Sequence, residues 1–256
     1  MNTKADKTLI FPQSLQEGVI VKRPNRFLMD VIVNNKVETC HCPCTGKIGN
    51  IVFDTEIPCL LSFDDTNKNR KTKYTVEAIS LNNVDDKSKK WIGINQVKAN
   101  GYVEFFLKTN QLKNIVSVDK NTIIQREKYL GNSKIDFLIN DSFLEVKSPL
   151  VKLELNDDYY TNKKVKIRNN NDFHSTDRFM KHLVELTQSI QTHQKAYLIT
   201  FFMFEFNTFD PPHSKNFDEV YKTVKKAQEA GVELWKVNCI FEKDGINLSN
   251  YSRIFF

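Results

Sequence analysis

One short stretch of this chain places acidic side chains where they could act together on a cation. Residues 133–147 consist of two apolar, β-branched and aromatic runs on either side of Asn140-Asp141. Because an Asn-Asp pair suits a tight turn, the two runs are predicted to form an antiparallel hairpin. With the turn at that pair, Asp136 faces Glu145. Residues that face each other have Cβ atoms about 4.5–5.5 Å apart, which lets two carboxylates share one cation.

A lysine follows on the same face of the predicted hairpin. Lys147 comes two residues after Glu145, and the strand period of two returns it to the side that carries the acids. Two carboxylates and a lysine that project together are what a metal-dependent phosphodiesterase needs. The apolar residues between them fall on the opposite face and are predicted to be core, namely Ile135, Phe137, Ile139, Leu144 and Val146.

Mg²⁺, or Mn²⁺ in its place, suits these side chains, because it is a hard ion usually held by one or two carboxylates with phosphate and water oxygens. Asp136 and Glu145 would hold the metal, which polarises the phosphate and activates water. Lys147 would orient the nucleophile or stabilise negative charge. Glu127 could add a carboxylate or pair with a basic neighbour. The alternative is an exposed hairpin end with a lysine–carboxylate pair of little energetic weight, although facing like charges are unfavourable without a cation.

Basic residues interleaved with aromatic ones form a second candidate site. They could line a groove that follows a nucleic-acid backbone while an aromatic ring stacks on a base. The usual explanation of such clusters is a solvated basic face, and the nucleic-acid interpretation requires the two clusters to converge in the fold. The first cluster is Lys22, Arg23, Arg26 and Phe27, and the second is Arg70, Lys71, Lys73 and Tyr74.

Length and composition are those of a soluble globular protein with a mild positive charge. The 256 residues are 40% hydrophobic and 27% charged, enough for one large domain or two ordinary ones. The net charge of +6 is compatible with a polyanionic partner. The apolar runs are too short to span a bilayer and the first residues carry no secretory signal. We therefore expect a cytoplasmic protein, or a nuclear one in a eukaryote, that is not secreted and has no membrane partner.

Five cysteines make an odd count, and Cys40, Cys42 and Cys44 lie close together in the sequence. A zinc site would favour two spaced pairs such as C-x2-C, and the chain has no second pair. Alternation along a strand puts the three thiols on one face, where free cysteine behaves as a small apolar residue. We expect reduced thiols.

The elements that must position these side chains follow an α/β pattern. Short runs within residues 18–80, separated by turn-forming residues, predict a small β-barrel, for which an oligonucleotide-binding (OB) barrel is one candidate. The polar stretch 82–90 is predicted to link this barrel to the second half. There, strands alternate with helices predicted over 97–112, 176–190 and 217–230.

A series of short motifs, in order along most of the chain, resembles the sugar fermentation stimulation protein A family. Each motif is short, and the ordered series is what makes the resemblance specific. The motifs are 21–27, of the R-x-x-R-F kind; 41–46, similar to H-C-P-N-T-G; 70–74, similar to R-K-x-x-Y; 93–95; Glu127 to Asp136, similar to E-x8-D; 144–148, similar to V-E-V-K-S; Arg178, Lys181 and His182 of a basic helix; and 229–233, similar to E-A-G-V-E.

The resemblance implies an OB-like barrel at residues 1–85 that binds nucleic acid. It implies a restriction-endonuclease-like PD-(D/E)xK domain at residues 86–256, with a mixed sheet flanked by helices. It further implies DNA binding and a nuclease role. Either a monomer or a homodimer could perform that role. The implied catalytic residues are Asp136, Glu145, Lys147 and Glu127. The implied nucleic-acid-binding residues are the two basic clusters of the barrel together with Lys134, Arg178, Lys181 and His182.

The chain departs from the family pattern in the basic helix. Asp177, Phe179 and Met180 stand where the family has Glu, Gly and usually Gln, and Cys44 replaces an Asn. These departures bear on catalysis more than on fold, because Met180 replaces a polar residue near the scissile phosphate. Three hypotheses remain open at this point: a metal-dependent nuclease, a non-enzymatic nucleic-acid-binding or regulatory protein that keeps the fold, and a structural or partner-binding protein whose hairpin acids are incidental.

Overall fold

The computed structural model describes residues 7–66, 71–150, 153, 159, 165–167, 176–206 and 216–256. Within these ranges the chain forms strands and helices that divide between a barrel and a large mixed sheet. The strands are β1 (Thr8–Ile10), β2 (Gln16–Asn25), β3 (Leu28–Val33), β4 (Lys36–His41), β5 (Ile51–Val52), β6 (Ile57–Phe63), β7 (Tyr74–Ile79), β8 (Ile92–Gly93), β9 (Ile124–Leu130), β10 (Ser133–Ile139), β11 (Ser142–Lys147), β12 (Lys166–Ile167), β13 (Lys195–Phe202), β14 (Glu233–Phe241) and β15 (Gly245–Arg253). The helices are α1 (Ala99–Lys108), α2 (Asp177–Ser189) and α3 (Phe217–Glu229).

The predicted barrel is formed by five strands. Their order is β4-β3-β2-β6-β7, and β7 returns to β4 through a parallel pair between His41 and Thr75. Burial alternates along β3, so that Met29, Val31 and Val33 point into the barrel. β8 extends the sheet beside β7. The barrel is therefore of the OB-like type, as the fold prediction required.

The barrel interior includes most of the cysteines. Cys40, Cys42, Cys44 and Cys59 are buried among the aliphatic residues of this core, and all are free thiols. Burial raises the pKa of Cys40 to about 12 and that of Cys44 to about 11. These groups stay protonated and act as small apolar side chains, which confirms the prediction of reduced cysteines.

The large sheet has the order β1-β15-β14-β13-β11-β10-β9. β11, β13 and β14 run parallel to one another, and the outer strands are antiparallel. α1 packs on one face through Tyr102, Val103 and Phe106, and α2 and α3 pack on the other face. A mixed sheet flanked by helices follows an OB-like barrel, so the predicted fold class is confirmed.

The three predicted helices are present with slightly shorter bounds. The helix expected over 97–112 is Ala99–Lys108, preceded by a 3-10 turn at Gln96–Lys98. Gly101 does not disrupt α1, and a Cβ at this position would meet nothing within 4 Å. In the part of the chain that the structure describes, no helix combines the length and the apolar composition needed to cross a membrane.

Candidate active site

The hairpin predicted around Asn140-Asp141 is formed by β10 and β11. Asn140 adopts the left-handed conformation of a tight turn, with φ 50°. Phe137 lies opposite Leu144 in the register, and the pairs towards the turn follow as predicted. This register is confirmed, and it fixes which residues face the core.

One residue of the predicted core face lies elsewhere. Ile135 is buried, but it packs with the side chains of α2, whereas Phe137 packs on the side of α1. The register with β9 pairs Ile135 with Lys128 and Phe137 with Arg126, while Glu127 between those two has φ 55°. The register is the same on both sides of Glu127, so the ladder with β9 does not account for the different packing of Ile135. Ile135 is 0% exposed, which confirms the prediction that it is core, but it belongs to the core on the α2 side of the sheet and not to the core that contains Phe137.

Asp136 and Glu145 lie next to each other, as the register required. The backbone N–H of Val146 donates to Asp136 Oδ2 at 2.8 Å, and the backbone N–H of Asp136 approaches Glu145 Oε2 at 3.4 Å. Each carboxylate therefore accepts from the backbone of the facing strand. The two acids are held close by the hairpin itself.

Glu145 lies on a central strand of the large sheet and is only 2% exposed. Lys147 Nζ lies 2.5 Å from Glu145 Oε1, and His182 Nδ1 lies 2.5 Å from the same oxygen. Lys147 is thus on the face that the strand period predicted. His182 reaches the site from α2, on the other side of the polar cluster.

Burial raises the pKa of Asp136 above its ordinary value, and the negative charge of Glu145 raises it further, despite opposing hydrogen bonds from Val146 and Asn100. Burial also acts to raise the pKa of Glu145. The hydrogen bond from His182 and the charge of Lys147 outweigh it, so the pKa of Glu145 falls below its ordinary value. The unfavourable electrostatic energy of the acid pair is therefore concentrated on Asp136, and a cation between the two carboxylates would relieve it.

The structure adds a side chain that the sequence analysis missed. Asn100, in the first turn of α1, donates from Nδ2 to Asp136 Oδ1 at 2.7 Å. Close by, Gln96 donates to the carbonyl oxygen of Ser148, just after Lys147. In the sequence, Asn100 is marked only by its place in the first turn of a predicted helix. An Asn at such a place is common on a solvated helix face, so it did not indicate a site residue.

Glu127 takes the second of its two predicted roles. Its carboxylate forms an ion pair with Lys134 at 3.1 Å, and its side chain is 68% exposed. Lys134 also lies over the ring of Tyr129, at 5.8 Å. Glu127 is therefore a partner of a basic neighbour in this structure, and Lys134 is committed to that pair on the exposed strand edge.

The chemistry of the donor set decides which cation would fit. Among the described residues, no group of three or more His, Cys, Asp or Glu side chains is arranged to cage a metal. Asp136 and Glu145 offer two hard carboxylates. This set fits an ion such as Mg²⁺, which keeps several waters and needs one or two carboxylates plus substrate phosphate. It does not fit a zinc site, which takes three or four protein ligands.

The basic helix α2 contributes less to the surface than expected. Arg178 and Lys181 are exposed, and Lys181 donates to the carbonyl of Asn132 at 3.3 Å. His182 is 5% exposed and bonds to Glu145, so it supports the acid instead of facing solvent where a phosphate would bind. Helical periodicity turns this residue towards the sheet, and its contact with phosphate stays a prediction.

The two basic clusters of the barrel meet on one side of it. Leu28, next to the turn that carries Arg26 and Phe27, pairs with His41 of β4. His41 also pairs with Thr75, two residues after Lys73. The β2–β3 turn and the loop before β7 therefore lie against the same end of β4. The convergence that the sequence could not show is present.

The residues of these clusters differ in how exposed their side chains are and in whether they already bind other parts of the barrel. Phe27 is 45% exposed, and the Arg26 guanidinium stacks over its ring at 4.6 Å. Lys22, Lys71 and Lys73 are also exposed. Arg23 instead donates to the carbonyl oxygens of Cys44 and Gly46, at 2.7 and 3.1 Å, and holds that loop. The predicted contact at Arg70 lies outside the described residues.

Two family models match this chain. One describes an SfsA N-terminal OB domain and matches residues 21–94, and the other describes a sugar fermentation stimulation protein RE domain and matches residues 173–245. The first begins within β2 and extends through the rest of the barrel to β8. The second covers α2, β13, α3 and β14.

Curated relatives extend the likeness over nearly the whole chain. A sugar fermentation stimulation protein homolog from Clostridium beijerinckii is 30% identical over 245 residues, covering 93% of this chain and 96% of the relative. A homolog from Clostridium tetani is 30% identical over 259 residues, covering 96% and 99%. A solved structure, SfsA of Pyrococcus furiosus in complex with Ca²⁺, matches with a TM-score of 0.68 at 17% identity, covering 96% and 98%. The chain belongs to the sugar fermentation stimulation protein family.

Proposed function

We propose that this protein binds DNA through its barrel and hydrolyses phosphodiester bonds at Asp136, Glu145 and Lys147 with Mg²⁺ or Mn²⁺. The observation that carries the proposal is the pair of adjacent carboxylates, Glu145 buried and Asp136 half-buried, with a lysine beside them. Such a pair is unfavourable unless a cation joins it, and the raised pKa of Asp136 reflects the charge of Glu145 as well as burial. Metal-dependent hydrolysis uses this combination of groups.

Each residue has a defined part in the proposed reaction. When bound by Asp136 and Glu145, the cation would polarise the phosphate and lower the pKa of a coordinated water. Lys147 Nζ donates to Glu145 and can also donate towards the attacking water or the developing negative charge. His182 holds Glu145 in its ionised form through a 2.5 Å hydrogen bond. Val146 and Asn100 fix the two oxygens of Asp136.

The barrel supports the nucleic-acid part of the proposal. OB folds bind oligonucleotides with the face of their second and third strands and with the loops between strands 1–2 and 4–5. Here those loops are the Arg26-Phe27 turn and the segment that contains Lys71 and Lys73. The exposed Phe27 ring can stack on a base, since stacking requires only an aromatic face.

A related protein supports the choice of metal class. The solved structure of Pyrococcus furiosus SfsA is described as a complex with Ca²⁺. Ca²⁺, like Mg²⁺, is a hard cation that takes oxygen ligands. For this chain we infer a site for a hard divalent cation at Asp136 and Glu145.

Cleavage assays test the enzymatic proposal. Purified protein is incubated with single- and double-stranded DNA and RNA, with Mg²⁺ or Mn²⁺ and with EDTA. We expect metal-dependent cleavage that is lost in Asp136→Ala and reduced by about 10²-fold or more in Lys147→Ala. Intact substrates with the unmodified protein, or equal cleavage by Lys147→Ala, would refute it.

A second candidate is a nucleic-acid-binding or regulatory protein that keeps the nuclease fold without turnover. Its support is that Glu145 Oε1 already has two partners, Lys147 and His182, and that Met180 occupies a position of α2 where the family usually has a polar residue. In this case DNA binding persists in Asp136→Ala and weakens steeply with salt. Salt-dependent binding in electrophoretic mobility shifts, together with intact substrates in the cleavage assay, separates this candidate from the first.

A further inference from the structure

The segment 95–100 lies between the barrel and the candidate site and bonds to both. It consists of the 3-10 turn Gln96–Lys98 and the residues on either side of it, up to the first turn of α1. Its contacts to the two halves of the molecule are made by different side chains. This arrangement ties the position of α1 to the barrel.

On the barrel side the anchor is Glu77 of β7, which is 2% exposed. Lys98 Nζ lies 2.7 Å from Glu77 Oε1, and Asn95 Nδ2 donates to Glu77 Oε2 at 2.8 Å. Ser62 Oγ also donates to Oε1, at 2.6 Å. In addition, the backbone N–H of Ile94 donates to the backbone carbonyl oxygen of Glu77 at 2.8 Å. A buried carboxylate requires such partners, because an unpaired charge in the interior is costly.

The amide of Asn95 is committed to this anchor. Its Nδ2 donates to Glu77, which leaves Asn95 Oδ1 buried with no hydrogen-bond partner among the described residues. Leaving such an acceptor unpaired costs about 1–3 kcal/mol. This cost falls on one atom of Asn95, whereas the other atom of its amide hydrogen-bonds to the Glu77 carboxylate. The contact between the segment and the barrel is therefore specific.

On the site side the contact is Asn100, which donates to Asp136 Oδ1 at 2.7 Å. The other oxygen, Oδ2, accepts from Val146 N–H at 2.8 Å. The carboxylate plane of Asp136 is thus fixed by one bond from its own sheet and one from α1. Without the bond from α1, the carboxylate can rotate about its side-chain torsions.

We propose that Asn100 is a positioning residue for Asp136, and that Glu77 of the barrel holds Asn100 in place through Lys98. Partners of a metal ligand that do not touch the metal orient it and affect metal affinity. The barrel then contributes to the geometry of the active site in addition to any grip on nucleic acid. The consequence for cation binding rests on the proposed function, whereas the positioning of Asp136 does not.

Amide hydrogen exchange of Val146 in the metal-free protein, measured by NMR, tests the positioning directly. If Asn100 holds the Asp136 carboxylate, Asn100→Ala frees it, and the exchange of the Val146 N–H accelerates by about tenfold or more. We expect Asn121→Ala, the same substitution in an exposed turn, to leave this exchange unchanged. Unchanged exchange in Asn100→Ala at an unchanged melting temperature overturns the proposal.

Glu77→Gln tests the barrel part, because it keeps the shape of the side chain and removes the charge that holds Lys98. We expect faster Val146 exchange in this variant, and wild-type exchange would overturn the role of the barrel. If Glu77→Gln does not fold, Lys98→Met tests the same contact from the partner whose side chain is 44% exposed.

Isothermal titration with Ca²⁺ alone, which needs no catalytic turnover, separates this inference from the proposed function. We expect Asn100→Ala to bind Ca²⁺ about tenfold more weakly than the unmodified protein. Equal affinity would contradict the link between Asn100 and the cation. If the unmodified protein binds no Ca²⁺, the proposed metal site fails, and Val146 exchange still decides whether Asn100 positions Asp136.

Discussion

At Glu145 the cost of a buried charge is offset by two hydrogen bonds to one oxygen. Burial raises the pKa of this carboxyl, but His182 and Lys147 lower it below the ordinary value of 4.5. A carboxyl whose pKa is lower in the folded state stabilises the fold above its unfolded pKa, and this contribution is lost as pH falls through the folded pKa. Glu145 therefore stabilises the native state at neutral pH.

This argument predicts a pH-dependent effect of Glu145→Gln. Removing one member of a buried pair leaves the others uncompensated, so we expect a loss of about 3 kcal/mol in the free energy of unfolding at pH 7. The loss should shrink as pH falls from about 4.5 through the lowered pKa of the native carboxyl, because the unfolded chain takes up this proton first. Urea unfolding of both proteins between pH 3 and 7 measures the difference. A constant difference would contradict the argument, and Glu56→Gln, at an exposed position, serves as the control.

Among the elements, the β2–β3 turn presents the most accessible candidate for nucleic-acid contact. We expect Phe27→Ala to weaken single-stranded DNA binding by about 1–3 kcal/mol through lost base stacking, with little change in salt dependence. Arg26→Ala should instead reduce the slope of log affinity against log salt by about one, because it removes one phosphate contact. Fluorescence anisotropy at several salt concentrations distinguishes the two. Equal effects of both variants on the salt slope would contradict these roles.

The burial of the cysteines in the barrel core predicts that their thiols react slowly. The thiolate is the reactive form, and burial raises the pKa of Cys40 to about 12 and of Cys44 to about 11. We expect Ellman's reagent at pH 8 to label none of the five cysteines of the native protein within minutes, and all of them in guanidinium. Rapid labelling of the native protein would indicate that the barrel opens readily or that these thiols are exposed.

Local sequence signals predicted the elements better than the contacts between them. The hairpin register follows from an Asn-Asp turn and a period of two, both of which are local, so Asp136 and Glu145 were placed correctly. Asn100 is 36 residues from Asp136, and their bond depends on how α1 packs on the sheet. The pairing of His182 with Glu145, 37 residues away, likewise depends on tertiary packing. Ile135 was correctly predicted to be buried, and its packing beside α2 depends on tertiary contacts that the strand period does not describe.

On the scale of the whole molecule, barrel and sheet are joined where β8 crosses from one to the other. Gly93 pairs with Ala78 of the barrel, and its N–H donates to the carbonyl of Met203, which follows β13 of the sheet, at 2.9 Å. Trp91 forms a bridge to Phe241 of β14. The backbone of β8 therefore packs against both the barrel and the sheet. Little space remains beside it for an added side chain.

The space at Gly93 predicts how tightly this junction is packed. A Cβ at this position would lie 2.6 Å from the Cβ of Met203 and 2.8 Å from the ring of Phe241, so Gly93→Ala must push β8 away from the sheet. Overpacking of this kind costs about 1–3 kcal/mol. Gly101→Ala is the matched control: its Cβ meets nothing within 4 Å, and in a helix it should stabilise by about 0.5–1 kcal/mol. Thermal unfolding measures both, and a neutral Gly93→Ala would mean that barrel and sheet are loosely joined.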